Sequence, residues 1–104
     1  MLASRFLETT KSLPEMTKEE ATEKARQDLA KRLGIQESQI TDQSVTDSDF
    51  PDMALGAAGS GEMSGQMMSK GWKIHLKAGN QKYEYRADKN QLRLYQFKGK
   101  NYKL

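Results

Sequence analysis

Cysteine is absent from this 104-residue chain. Its absence excludes a disulfide scaffold, a thiolate nucleophile, an iron–sulfur cluster and Cys-ligated zinc. A single histidine leaves few ways to build a His-based metal centre or a catalytic triad. No apolar run approaches the ~20 residues that a membrane-spanning helix needs. In residues 1–16 the apolar Leu2, Phe6 and Leu7 are too few for the about 7–15 consecutive apolar residues of a secretory signal. This stretch reads as an N-terminal extension, which points to a protein kept where it is made, in the cytoplasm, or to one whose leader is missing. With 36% hydrophobic residues, the chain supports one domain around one modest core.

What is present is charge, unevenly placed. Residues 1–69 hold 12 acidic and 7 basic residues, a net of −5, whereas residues 70–104 hold 2 acidic and 10 basic, a net of +8. A basic C-terminal third favours an acidic partner, whether protein, lipid headgroup or nucleic acid. The plainer reading is that Lys and Arg keep strand surfaces soluble and discourage edge pairing.

The first element begins at Thr17. Thr17-Lys18-Glu19-Glu20 reads as a capping box, and Ala21, Ala25, Leu29 and Leu33 recur every fourth residue as one apolar stripe. Gly34 supplies a left-handed stop, with Ile35 as its hydrophobic follower. Residues 39–46 predict a first strand; its anchors Ile40 and Val45 differ in parity, so a bulge is expected. Residues 47–71, rich in Gly, Ser and Met, predict one long loop. Trp72, Ile74 and Leu76 then alternate with Lys73, His75 and Lys77; Gly79-Asn80 marks a tight turn. Tyr83, Tyr85 and Ala87 alternate with Lys82, Glu84 and Arg86, and a third run carries Leu92 and Leu94. The pattern predicts an α+β domain over residues 17–98. One N-terminal amphipathic helix packs on a four-stranded antiparallel sheet in the order α-β-β-β-β, and residues 99–104 are a frayed basic tail.

The stretch "ARQDLAKRLGI…QIT…FPDMALG…GEMSGQ…KGWKIHL…YEYRAD…LRL" resembles a family of small bacterial domains, common in cyanobacteria and of PepSY-like or cystatin-like type. Its pattern is a helix ending in Leu-Gly, an Ile-Thr strand, a Trp-Pro-Asp-x-Ser-Leu-Gly-Cys-Pro loop and a Gly-aromatic-x-Ile-x-Leu hairpin. The resemblance covers roughly residues 25–94. It implies one helix against an antiparallel sheet, an exported protein, and no catalytic residues. Pro51, Asp52, Leu55, Gly56 and Gln66 match the loop pattern. Phe50 stands at the Trp position, Ala57 at the Cys position and Ala58 at the Pro position, so any role of that cysteine is lost.

Four constellations could carry chemistry. His75 shares a strand face with Lys73 and Lys77, and a catalytic dyad would need a Ser or Asp from residues 47–69; a plain surface histidine is the simpler account. Met53, Met63, Met67 and Met68 make a methionine-rich loop, and Met63, Met67 and Met68 with His75 are Cu(I) candidates because thioethers are soft ligands. Irregular packing under the loop accounts for the same methionines. Gly56-Ala-Ala-Gly59-Ser-Gly61 lacks the Lys-Ser/Thr of a phosphate loop and reads as flexible chain. Lys73, His75, Lys77, Lys82, Arg86, Arg93, Tyr95 and Phe97 should project from the sheet face opposite the helix.

The sequence therefore points to a non-catalytic protein-binding module with no cofactor, an accessory subunit or inhibitor-like domain, and not to an enzyme. Contact would run through residues 51–71 (Phe50, Pro51, Asp52, Leu55, Gly56 and Gln66) and through the basic face, favouring an acidic protein surface. Single-stranded nucleic acid on the same basic and aromatic face is the first alternative; Cu(I) binding is the second.

Overall fold

The computed structural model describes residues 15–63 and 65–104. Most of the expected N-terminal extension therefore lies outside the described residues. Helix α1 spans Lys18–Leu33 and begins as its capping residues dictate. The Glu20 amide donates to Thr17 Oγ1 at 3.1 Å, and the Thr17 amide donates to Glu20 Oε1 at 2.9 Å. Gly34 ends it at φ 68°, and the Ile35 amide closes the last turn on the Ala30 carbonyl at 3.0 Å. Left-handed backbone at that position suits glycine because no Cβ meets the carbonyl.

After a short 3-10 turn, Glu37–Gln39, the chain forms β1 (Ile40–Phe50), β2 (Ser69–Ala78), β3 (Gln81–Ala87), β4 (Leu92–Phe97) and β5 (Lys100–Lys103). They pair antiparallel in chain order. The α+β class and antiparallel sheet stand; the strand count does not. The stretch expected to fray instead forms β5, with Tyr102 opposite Leu94 and the Leu104 amide on the Leu92 carbonyl at 3.0 Å. Lys98 and Gly99, at φ 52° and 84°, make the two-residue turn, which a Lys-rich composition disguised.

Two boundaries also move. β1 runs on through Asp47, Ser48 and Asp49, whose backbone pairs with β2 while Asp47 and Asp49 stay exposed and Ser48 is half-buried. The loop is thus 51–68, shorter than the expected 47–71. The bulge falls where the parity break between Ile40 and Val45 demanded it, with a register shift between Asp42 and Ser44. It turns both Ile40 and Val45 toward α1.

The core lies between α1 and one sheet face. Ala21, Ala25 and Leu29 of the helix meet Ile74, Leu76, Tyr85, Ala87, Leu92 and Leu94. Burying a leucine or isoleucine side chain contributes about 1.5–3 kcal/mol, and the alanines let the helix sit close. The Tyr85 hydroxyl donates to Asp28 Oδ2 at 2.7 Å; burial, reinforced by that carboxylate, raises its pKa above the ordinary phenol value. Phe97 is the exception to the expected strand face. Gln96, at φ 54°, breaks the alternation of β4, and Phe97 turns into the helix-side core, 5.9 Å from the Tyr83 ring and 6.2 Å from that of Tyr102.

Candidate functional site: an outer sheet face half covered by its own loop

The face away from α1 is set by the register of three hairpin rungs. The two-residue turn at Gly79-Asn80 places Ala78 opposite Gln81. Counting back, Lys77 stands opposite Lys82, His75 opposite Glu84 and Lys73 opposite Arg86. β1 adds Thr41 beside Lys77, Ser44 beside His75 and Thr46 beside Lys73. β4 adds Tyr95 beside Glu84 and Arg93 beside Arg86.

The loop 51–68 lies across the β3–β4 side of this face and consumes its arginines. Asp52 Oδ1 accepts the amides of Ala54 and Gly56 at 2.9 and 3.0 Å, folding the chain into a turn that ends with Leu55 and Gly56 at φ 59° and 66°. Their carbonyls accept from Arg86 Nη1 at 3.0 and 3.3 Å. A Cβ on Gly56 would stand 2.7 Å from that nitrogen, so this glycine serves both the left-handed backbone and the close approach. The Arg86 guanidinium sits 3.6 Å from the Tyr95 ring centroid and 5.6 Å from that of Phe50. Phe50, Ala54, Leu55 and Ala57 are buried in a second, smaller apolar layer.

Arg93 makes the second clamp. Its two terminal nitrogens meet both oxygens of Glu62 at 2.7 Å each, Nη1 reaches the Ala57 carbonyl at 3.3 Å, and Nε donates to Gln91 at 2.7 Å. Asn101 Nδ2 fixes the Ala58 carbonyl at 2.9 Å. Hydrogen bonds from Arg93 and from the Gly59 amide hold the Glu62 carboxyl down at about 2.

The expected binding loop is therefore mostly scaffold. Phe50 and Leu55 are buried, Asp52 and Gly56 shape the turn, and only Pro51 and Gln66 are exposed. Arg86, Arg93 and Tyr95 belong to the same scaffold, and Phe97 lies on the other side of the sheet. The open remainder holds Lys73, His75, Lys77 and Lys82, with the exposed hydroxyls of Thr41, Ser44 and Thr46. Among the described residues, none of these three lysines is within salt-bridge distance of a carboxylate.

His75 is better connected than the sequence suggested. Nδ1 lies 3.1 Å from Ser44 Oγ and Nε2 lies 3.2 Å from Glu84 Oε1. The serine comes from β1 and the carboxylate from β3, not from the loop. Burial pushes the Glu84 carboxyl up, but hydrogen bonds from Arg86 Nε, at 2.6 Å, and from His75 outweigh it and leave it lowered. An ionised Glu84 accepts from Nε2–H, which leaves Nδ1 facing the Ser44 hydroxyl. Hydrolysis would further require a concave substrate site and donors aimed at an oxyanion. Among the described residues, the grooves lined by Gly34 and Ile35, by Leu92 and Leu104, and by Met53 and Trp72 do not include Ser44, His75 or Glu84. Glu84 was legible from the hairpin turn alone; Ser44 was not, because its register depends on the bulge.

The copper grouping does not assemble as expected. Met67 and Met68 line a groove at the loop's exit together with Met53 and Trp72, and neither His75 nor Met63 takes part. Among the described residues no helix is long and apolar enough to cross a membrane.

A family model described as "Domain of unknown function (DUF8738)" matches residues 22–95, from the second turn of α1 to Tyr95 in β4. No curated protein and no solved structure matches the chain.

Proposed function

The chain belongs to the DUF8738 family, whose description assigns no function, and from that premise we propose that it is a non-catalytic module binding an acidic protein surface. The binding face is the open half of the outer sheet: Lys73, His75, Lys77 and Lys82, rimmed by Thr41, Ser44 and Thr46. A role as an accessory subunit or inhibitor-like domain follows from that reading. One observation carries it. Lys77 and Lys82 stand directly opposite each other across β2 and β3, with no carboxylate partner among the described residues. Like charges on a cross-strand pair cost stability, and a bound acidic partner would remove that cost. Arg86 and Arg93, by contrast, have their charges satisfied within the chain.

The same geometry disfavours single-stranded nucleic acid. Base stacking needs exposed aromatic faces beside the phosphate contacts; Tyr95 is stacked on Arg86, and Phe97 is buried on the helix side. Charge reversal at Lys82 tests the proposal. Lys82→Glu pairs with Lys77 and is expected to raise stability by about 0.2–1 kcal/mol, read by urea denaturation. The same change should weaken capture of a fluorescent oligo-glutamate peptide at least about tenfold, a loss that salt screening of the wild type should mimic. Unchanged affinity contradicts the proposal, as does tighter binding of an oligothymidylate that survives physiological salt.

A further inference from the structure

We infer that the groove formed by Met53, Met67, Met68 and Trp72 is a binding site for Cu(I), independent of the basic face. Exposure singles out these side chains. The exposed large apolar residues among those described are Met53, Met63, Met67, Met68 and Leu104, so four of the five are thioethers. Methionine is ordinarily a core residue, and none of these four is among the residues that form the helix-side core or pack against it. Three of them line one groove of about 630 Å³ against Trp72.

The backbone brings them together by fastening both ends of the loop. The Met53 amide donates to the Gly65 carbonyl at 2.9 Å, Gln91 Nε2 donates to the Met53 carbonyl at 2.8 Å, and the Ser69 hydroxyl donates to the Asp52 carbonyl at 2.9 Å. Met53, at the loop's entry, thus stands beside Met67 and Met68 at its exit. Gly65 leaves room for it, since a Cβ there would lie 2.9 Å from Met53 Cγ. The Ser69 hydroxyl also approaches Met53 Sδ at 3.6 Å, which orients the thioether and leaves a sulfur lone pair free.

Chemistry selects the ion. Thioethers are soft, uncharged donors that favour Cu(I) over zinc, magnesium or calcium. The chain has no cysteine to compete for it. Trp72 lines the same groove, and an indole ring attracts a monovalent cation to its face. The rest of the rim is polar: Asp47, Ser48, Lys70, Asp88, Lys89 and Asn90. Of these, Asp47 is paired with Lys18 and Lys89 with Glu15. A thioether carries no proton to displace, so binding through sulfur is insensitive to pH over the range in which a histidine site fails.

The test is an anaerobic titration of the full chain with Cu(I), and with Ag(I) as a redox-inert analogue, read by the fluorescence of its single tryptophan. Quenching should saturate at one ion per chain, with the same affinity at pH 5 and pH 7. Met67→Ile and Met68→Ile should each lower affinity at least about tenfold, and all three groove methionine methyl resonances should shift in the wild type. Met63→Ile and His75→Ala should leave the Cu(I) affinity unchanged. Because the substituted methionines are exposed, thermal melts should match the wild type. Absence of saturable quenching overturns the inference. So does an affinity that falls equally in Met63→Ile, or one lost at pH 5.

Discussion

Replacing Glu62 by alanine is expected to lower stability by about 3 kcal/mol, a large effect for a residue on an external loop. The reason lies with its partner. The Arg93 side chain is 3% exposed, and without Glu62 a buried guanidinium keeps only a glutamine oxygen and one carbonyl. Arg93 is buried while Glu62 is not, so removing the glutamate leaves the buried charge uncompensated; replacing both by apolar groups of similar volume costs far less. The double variant Glu62→Ala/Arg93→Met should therefore be more stable than Glu62→Ala alone, and urea midpoints at constant m-value measure the difference. The pH dependence has a definite sign. Glu62 titrates at about 2 in the folded chain, below its ordinary 4.5. Its contribution is complete above pH 4.5 and is lost as pH falls from there toward 2. Glu62→Gln should flatten the stability profile over that window.

Gly71→Ala should be comparably severe for a steric reason. A Cβ at this position would stand 2.1 Å from the Ala87 carbonyl oxygen and 3.1 Å from its carbon. The obstacle is backbone at the end of β3, which cannot swing aside, so the Trp72–Ala87 rung must open. Overpacking against a fixed neighbour costs about 3 kcal/mol, roughly 15 °C in melting temperature for a domain of this size. Gly34→Ala is the control. It meets nothing within 4 Å and has only the left-handed backbone, at φ 68°, to strain it, which costs about 1–2 kcal/mol. A Gly71→Ala melt no lower than that of Gly34→Ala would contradict the steric account.

Local chemistry made most of the scaffold readable. Thr17 and Glu20, Gly34 and Ile35, and the alternation through Trp72–Leu76 and Tyr83–Ala87 each specify their own backbone within a few residues. The Gly79-Asn80 turn fixes the pairing of His75 with Glu84 by counting alone. Three features escaped because distant residues decide them. β5 has one apolar anchor, Tyr102, and acquires its pairing from β4 across a turn with lysine in left-handed backbone. Phe97 obeys the strand alternation in sequence but not in space, because Gln96 interrupts it. The loop reads as mobile from its glycines and serines, yet Arg86, Arg93 and Asn101, about 30–40 residues downstream, hold it by its carbonyls. The same arginines look like a ligand platform in sequence because nothing local reveals that their charges are already satisfied.

The outer face divides into a closed half, which is scaffold, and an open half, which we propose as the binding face. An amide chemical-shift titration of the ¹⁵N-labelled chain with oligo-glutamate tests this most directly. Shifts confined to Thr41, Thr46, Lys73, His75, Lys77 and Lys82, with Gly56, Ala57, Gly59 and α1 unmoved, are the expected result. Shifts centred on residues 51–68 or on the helix, or none at all, would contradict it.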